Sequence, residues 1–336
     1  MKHDVLCLPS LNVETEVRGF VPPEIRGQKV TVQNLFVEGQ EYVVCLDGQT
    51  LRFAVGGYSQ LPAGSSVNCA VGLSRLGLSV TIAGAVGQDS EGVLLQNELS
   101  SNGITPFMVD RDTATPHTLC VLEDDGSATL FCHKPTYTLD NAKMLELVSK
   151  IEAKFVVATG VRMAELELVE QIFKVRLTGS VCNMLTPNSE LLVYRERMLG
   201  LLHSTDVLQV NEKEARILLG TQLEPELAAL ELLKMGPKVT LITLGDRGAA
   251  VAVFRENGNH EVLYSKPLPS KVVDTTGAGD AFTTGFLYGL FSGATHSESL
   301  RLGSWVAARN IEHIGGHSGM PTLAELKNIV TTREVA

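Results

Sequence analysis

The chain has 336 residues, enough for one large α/β domain or two modest ones. Its 44% hydrophobic content can fill a large core, and a net charge of −10 excludes the dense basic face that whole-surface nucleic-acid binding needs. The six cysteines show no CxxC pair and no metal-ligand spacing, no signal-peptide pattern opens the chain, and no apolar run approaches the ~18 residues of a membrane span. Reduced, mostly buried thiols in a cytoplasmic protein are the expectation.

Residues 5–8 predict a short buried strand. Alternating, β-rich stretches follow at 14–19, 30–37, 42–46 and 51–55, and no helix is predicted before residue 66. Without helices to cover them, these strands predict a small second sheet exposed on one face. The pattern then changes to a helix over 66–76, a strand over 80–85 and a helix over 92–102. Strands return at 107–110, 117–123 and 128–133, with Asp124-Asp125-Gly126 as a hairpin turn. Beyond residue 139, helices and strands alternate: helix 144–151, strand 155–158, helix 165–176, a strand near 180–183 and a strand at 207–210. Helices 212–219 and 226–235 and a hairpin of 239–244 with 249–254 complete this half. Apolar strands alternating with helices predict a mostly parallel sheet covered on both faces.

The most informative segment is Asp274-Thr275-Thr276-Gly277-Ala278-Gly279-Asp280-Ala281-Phe282, between a strand end at 272–273 and a helix over 281–290. Backbone N–H groups at a strand-to-helix turn have no intrahelical partner, and the helix dipole adds partial positive charge, so the Gly-Ala-Gly turn predicts an anion cradle. A carboxylate beside such a cradle is repelled by a bound phosphate. Chemistry supplies a reason for it: Asp280 takes a proton from a hydroxyl while Gly277, Ala278 and Gly279 hold a phosphoryl group in transfer. A purely structural account also exists, since an aspartate in the first helical turn favours the helix dipole.

The extended string, followed by Gly285 and Gly289, resembles the C-terminal signature of the ribokinase-like (PfkB) carbohydrate kinases. The resemblance covers nearly the whole chain. It implies a three-layer α/β body with a mostly parallel central sheet, plus a small β-sheet lid from about residues 12–60 and 105–135, all in one kinase domain. It implies that Asp280 is the catalytic base and that Gly277, Ala278 and Gly279 form the anion hole. Gly285 and Gly289 are read instead as packing residues at i, i+4 spacing. Pro62-Ala63-Gly64-Ser65-Ser66-Val67-Asn68 resembles the family's N-terminal signature, so Gly64 and Asn68 inherit the binding of sugar hydroxyls; the usual double glycine is Ala63-Gly64 here. Ser65 or Ser66 as a helix cap is the plainer account. Asn12 and Glu14 inherit a substrate role too, with Glu14 standing where the family usually has Asp.

Asn211-Glu212-Lys213-Glu214 resembles the family's Asn-x-x-Glu motif, which orders Mg²⁺ and its waters; it is also a capping box in its own right. Thr243, Gly245 and Gly248 resemble the nucleotide loop, Ser304 and Ala308 the helix flanking adenine, and Asn183 a strand residue reaching the nucleotide. Trp305 is expected near adenine. A K⁺ site is left open, because Gly319 stands where the family often has Ser.

No Walker A loop, no GxGxxG after the first strand, no HExxH and no GxSxG occurs. The chain is thus read as an ATP- and Mg²⁺-dependent kinase for a hydroxyl of a small sugar, sugar acid or other polyol, without nucleic-acid or membrane partners. Lid strands pairing across a two-fold axis make a homodimer an expectation. Two alternatives stay open: a nucleoside kinase of the same fold, with Phe53, Tyr58 and Phe107 enclosing a base, and a non-catalytic ligand-binding relative.

Overall fold

The computed structural model describes the chain except residues 9, 55–58, 112–113, 124–127, 135–139, 162, 177–180, 193, 256–257 and 333–336. The turn expected at 124–126 and Tyr58 lie outside the described residues, as does the side chain of Phe107. The chain begins with β1 (Lys2–Leu8), β2 (Asn12–Arg18), β3 (Lys29–Val32), β4 (Asn34–Glu38), β5 (Glu41–Leu46), β6 (Gln49–Ala54) and β7 (Ser59–Ala63). Next come α1 (Ser65–Arg75), β8 (Val80–Gly87), α2 (Ser90–Ser101), β9 (Thr105–Arg111), β10 (His117–Leu122) and β11 (Ala128–His133). The alternating half runs α3 (Asn141–Ser149), β12 (Glu152–Val161), α4 (Met163–Arg176), β13 (Cys182–Pro187), α5 (Ser189–Leu192), α6 (Arg195–Leu202) and β14 (Val207–Asn211). It ends with α7 (Glu212–Leu219), α8 (Pro225–Leu233), β15 (Val239–Thr243), β16 (Ala249–Phe254), β17 (His260–Ser265), α9 (Ala278–Phe291), α10 (His296–Asn310) and α11 (Leu323–Thr332).

The large sheet has nine strands in the order β17-β16-β15-β14-β13-β12-β1-β8-β9. From β15 to β9 every neighbouring pair is parallel, and the β15–β16 hairpin and β17 close the other edge antiparallel. Period-two side-chain placement explains why both faces need helices. Leu6 and Leu8 of β1 enter one core with Leu166, Met198 and Leu218 from α4, α6 and α7. Val5 and Cys7, the intervening residues, enter the other core with Val67, Leu95 and Phe286 from α1, α2 and α9.

The early strands form two sheets rather than one. Five strands run β3-β11-β10-β2-β7, and β4-β5-β6 form a three-stranded meander. The predicted strand over 30–37 divides between them. Leu35, Tyr42 and Phe53 of the meander bury themselves against Val17, Leu119 and Phe131 of the five-stranded sheet. That contact covers one face of each and leaves the second face of the five-stranded sheet to roof a cavity. β9 pairs in parallel with β8 at the edge of the large sheet, although the segment from residue 105 was expected in the lid. The α2 crossover accounts for this: it returns the chain beside β8 in the same direction.

The spacing of Gly285 and Gly289 does serve packing. A Cβ on Gly285 would lie 2.4 Å from the Leu302 carbonyl oxygen, and one on Gly289 2.5 Å from Ser299 Oγ, so α9 and α10 touch backbone to backbone. Gly285→Val is expected to lower unfolding stability by about 1–3 kcal/mol, read from the urea midpoint; an unchanged midpoint would show that the helices part at no cost.

Candidate active site

Open α/β sheets bind ligands beyond the carboxyl ends of their strands, and the predicted residues gather there. Ser10 and Asn12 follow β1, Gly160 lies near the end of β12, and Asn188 follows β13. With Gly64, Asn68 and Asp280 they line a cavity of about 350 Å³. Its roof comes from the five-stranded sheet, through Glu14, Lys29, Thr118, Leu130 and Lys134. A second cavity of about 470 Å³ lies on the other side of the Gly-Ala-Gly turn, lined by Thr243, Gly245, Gly248, Ser304 and Ala308. Thr276 and Gly277 border the first cavity; Ala278 and Gly279 border the second. The turn is therefore the wall shared by both.

Its shape is held from outside. Asp274 accepts hydrogen bonds from the amides of Thr276 and Gly315, each at 2.8 Å. Asn310 Nδ2 donates to the carbonyls of Thr276 and Gly316 at 3.3 and 3.1 Å. Gly277 sits at φ 71°, and a Cβ there would stand 2.0 Å from the Gly316 oxygen. Left-handed backbone and contact with a second loop both demand glycine. Gln209 of β14 braces α9 from below, donating to the Gly279 carbonyl at 3.0 Å and accepting from Thr283 Oγ1 at 2.8 Å. Among the described residues, no hydrogen bond occupies the amides of Gly277 and Gly279. The Ala278 amide is turned to the Thr275 carbonyl at 3.2 Å. Free amides at the positive end of a 14-residue helix are what an anion requires.

Asp280 is buried at the start of α9, with Oδ2 accepting from Asn68 Nδ2 at 2.8 Å. Burial pushes its carboxyl above the ordinary value, while hydrogen bonds from Asn68 and Ser65 and the nearby His317 pull the other way. A raised carboxyl is a better proton acceptor than a solvated one.

Glu14 is perturbed as well. Burial pushes its carboxyl up to about 7, and the like charges of Glu16 and Asp274 add to the effect, with Lys29 opposing. The influence of Asp274 on a β2 residue reflects how closely the roof approaches the α9 turn. Asn12 donates from Nδ2 to Thr118 Oγ1 at 3.0 Å, which fixes its amide on the neighbouring strand. Gly64, not a serine, is the N-cap of α1; Ser66 Oγ instead donates to the Leu8 carbonyl and accepts from the Ser10 amide at 3.0 Å, tying helix to strand end.

Beside the second cavity, Asn211 pairs with Thr243 across β14 and β15. The Asn211–Glu214 capping box is present in both directions at 2.9 Å. Among the described residues no cluster of three His, Cys, Asp or Glu is placed to hold a metal ion. The donor set suits an ion held mainly through water and phosphate oxygens, with Glu214 and Asn211 beside it. Asn183 must be corrected. It lies near the start of β13, at the end of the strands away from both cavities, wholly buried, with Nδ2 donating to the Phe173 and Ser204 carbonyls. It braces the core and reaches no nucleotide. Trp305 likewise packs into the core, while its neighbours Ser304 and Ala308 face the second cavity.

Sequence reading missed Ser10, Lys29, Thr118, Lys134 and Asn188 in the first cavity, and Gln209 and His317 behind it. Asn188 had a signal, since it follows directly on a parallel strand. The others come from strands or loops remote in sequence.

Two cavities thus meet across an amide-lined turn that carries a carboxylate facing one of them. The pfkB family carbohydrate kinase model matches residues 40–323. An uncharacterized sugar kinase from Archaeoglobus fulgidus is 30% identical over 266 residues, covering 75% of this chain and 98% of that protein. The ribokinase of Thermotoga maritima superposes with a TM-score of 0.74 at 19% identity, covering 98% of each chain. The adenosine kinase of Sinorhizobium meliloti superposes at 0.78 and 22% identity, covering 98% of this chain and 100% of the other. The chain belongs to the pfkB carbohydrate kinase family and has the ribokinase-like fold; it is an ATP-dependent phosphotransferase with a sugar-type hydroxyl acceptor.

The Glu14 shift predicts a stability effect. The unfolded chain loses this proton near 4.5 and the folded chain near 7, so the folded state binds more protons in that window and stability falls as pH rises through it. Glu14→Gln should match the parent near pH 4.5 and exceed it by about 1–2 kcal/mol at pH 8. Superimposable denaturation curves at pH 8 would show that the carboxyl is not buried as described.

Proposed function

We propose that Asp280 accepts the proton of an acceptor hydroxyl in the first cavity while that oxygen attacks the terminal phosphorus of ATP held in the second. The new P–O bond forms on the acceptor, the bond to the β-phosphate oxygen breaks, and ADP leaves. The observation that carries this reading is the position of the turn: Asp280 and Gly277 open into one cavity, and Gly279 borders the other, so the free amides lie in the wall between them. Those amides take up charge on the transferring group. Thr243, Gly245, Gly248, Ser304 and Ala308 enclose the nucleotide. Mg²⁺, beside Asn211 and Glu214, would neutralise phosphate charge. K⁺ dependence is an open part of the reading, tested by assay with and without the ion.

Asn12, Glu14, Gly64 and Asn68 hold the acceptor, with Ser10, Thr118 and Asn188 as further polar contacts. The two small sheets, with residues 12–60 and the β10–β11 strands, act as a lid that keeps water from competing as acceptor. The lining carries Lys29 and Lys134 against Glu14 and Asp280, a balance that admits a neutral sugar or a sugar acid. None of the described lining residues is aromatic, which disfavours a nucleobase, because bases want stacking partners. Phe53, a candidate for that role, is buried between the two small sheets. Exposed Phe36 and Val37 on β4 support a homodimer through the lid. The six free cysteines accord with a reducing, cytoplasmic setting.

ADP release measured with ribose, fructose, 2-keto-3-deoxygluconate and adenosine tests the acceptor assignment; turnover only with adenosine would favour the nucleoside reading. Asp280→Asn is expected to lower kcat by at least about 10²-fold while ATP binding persists. Near-parental kcat in that variant would remove the carboxylate from the role of base.

A further inference from the structure

Behind Asp280 runs a line of buried polar contacts that the phosphoryl-transfer reading does not use. Asn68 of α1 has both ends of its amide engaged: Nδ2 on Asp280 Oδ2 at 2.8 Å, and Oδ1 facing His317 Nδ1 at 2.9 Å. A carboxylate only accepts, which sets the direction of the amide. Oδ1 then requires a donor, so Nδ1 of His317 carries a hydrogen. The other ring nitrogen, Nε2, stands 3.3 Å from Glu98 Oε1 on α2. That oxygen also accepts from Asn102 Nδ2 at 2.9 Å. The His317 hydrogen bond, more than anything else, holds the Glu98 carboxyl below its ordinary value, with Asn102 and Arg75 adding to it and burial opposing. Nε2 thus closes the line on the Glu98 carboxyl. Asn68 and His317 are 4% and 7% exposed, too enclosed for solvent to substitute for these partners. Arg75 Nη1 donates to the main-chain oxygen of His317 at 2.8 Å and fixes the loop that carries the ring.

We propose that His317 and Glu98 are positioning residues for the transfer step: through Asn68 they hold Asp280 in its base form and aimed into the acceptor cavity. The proposal rests on the assignment of Asp280 as base. The line runs from the Glu98 carboxyl through the His317 ring and the Asn68 amide to the Asp280 carboxyl. The charged groups that bear on it are Glu98 from α2, Arg75 from α1 and Asp280 from α9. The nearby His317 opposes the effect of burial on the Asp280 carboxyl. The line also changes the meaning of Asn68. Its amide is committed to Asp280 and His317, leaving one Nδ2 hydrogen for a substrate hydroxyl.

The test uses the full-length protein with ¹³C-carboxyl-labelled aspartate, and Asp280→Asn to assign the Asp280 resonance. This readout needs no acceptor. His317→Ala is expected to move the Asp280 titration upward by about one unit, and Glu98→Gln to move it in the same direction by less. His317→Asn keeps a donor near the Nδ1 position and should restore the aim of Asp280 but not its titration. In ADP-release assays with the best acceptor of the panel, His317→Ala should lower kcat by roughly tenfold or more with the ATP KM unchanged, and His317→Asn should recover part of it. Thermal melts run alongside separate these effects from unfolding. An Asp280 titration unmoved in both folded His317→Ala and Glu98→Gln overturns the proposal. Because Asp280→Asn is measured in the same series, the two readings fail separately: full turnover in it removes the base, and its inactivity beside an unmoved titration removes only the relay.

Discussion

The architecture depends on one electrostatic conflict. A helix N-terminus with free amides attracts phosphate, and a carboxylate one residue farther on repels it. Both must be kept within a few ångströms and aimed in different directions. The α9 turn achieves this by splitting its faces, with Gly279 toward one cavity and Asp280 toward the other. Much of the surrounding structure serves to hold that turn. Asp274 and Asn310 tie it to the loop at 315–316, Gln209 supports it from β14, and Asn68 fixes the carboxylate.

The stability of the body comes from apolar burial on both sides of the parallel sheet, and it supports sites that are unfavourable by themselves. Glu14 is half-buried near the like charges of Glu16 and Asp274, and Asp280 is buried with hydrogen bonds that only oppose the effect of burial on its carboxyl. Such groups recur where function sets the environment rather than folding. The two small sheets follow the same division: one shared face is apolar and closed, and the other is polar and open to the acceptor cavity.

The glycine turn was legible because it is local. Consecutive residues carry the turn, the carboxylate and the start of a helix, and the structure keeps them together; the strand end expected at 272–273 is not there, since β17 ends at Ser265 and Val272 and Val273 lie exposed in an irregular segment. The capping box of Asn211 and Glu214 was legible for the same reason, since both partners lie within one turn. Hydrophobic period also carried the parallel sheet and its helices. It did not carry the split of 30–37 at Gln33, because alternation is the same on either side of a bend. Nor could it place β9, whose partner is decided by the α2 crossover. Asn183 shows the limit of a motif: the right residue type on the right strand, but at the end remote from the site.

By itself, the chain determined the elements, the glycine turn and the acid within it, since these depend on backbone dihedrals and neighbours a few residues apart. Only the tertiary structure decided which distant polar groups meet that acid. Asn68, His317 and Glu98 are separated by 249 and 219 residues along the chain, and no local rule relates them. Their contact exists because α1, α2, α9 and the loop at 311–322 pack against one edge of a common core. Burial there removes water as an alternative partner, so each polar atom must find another within the protein.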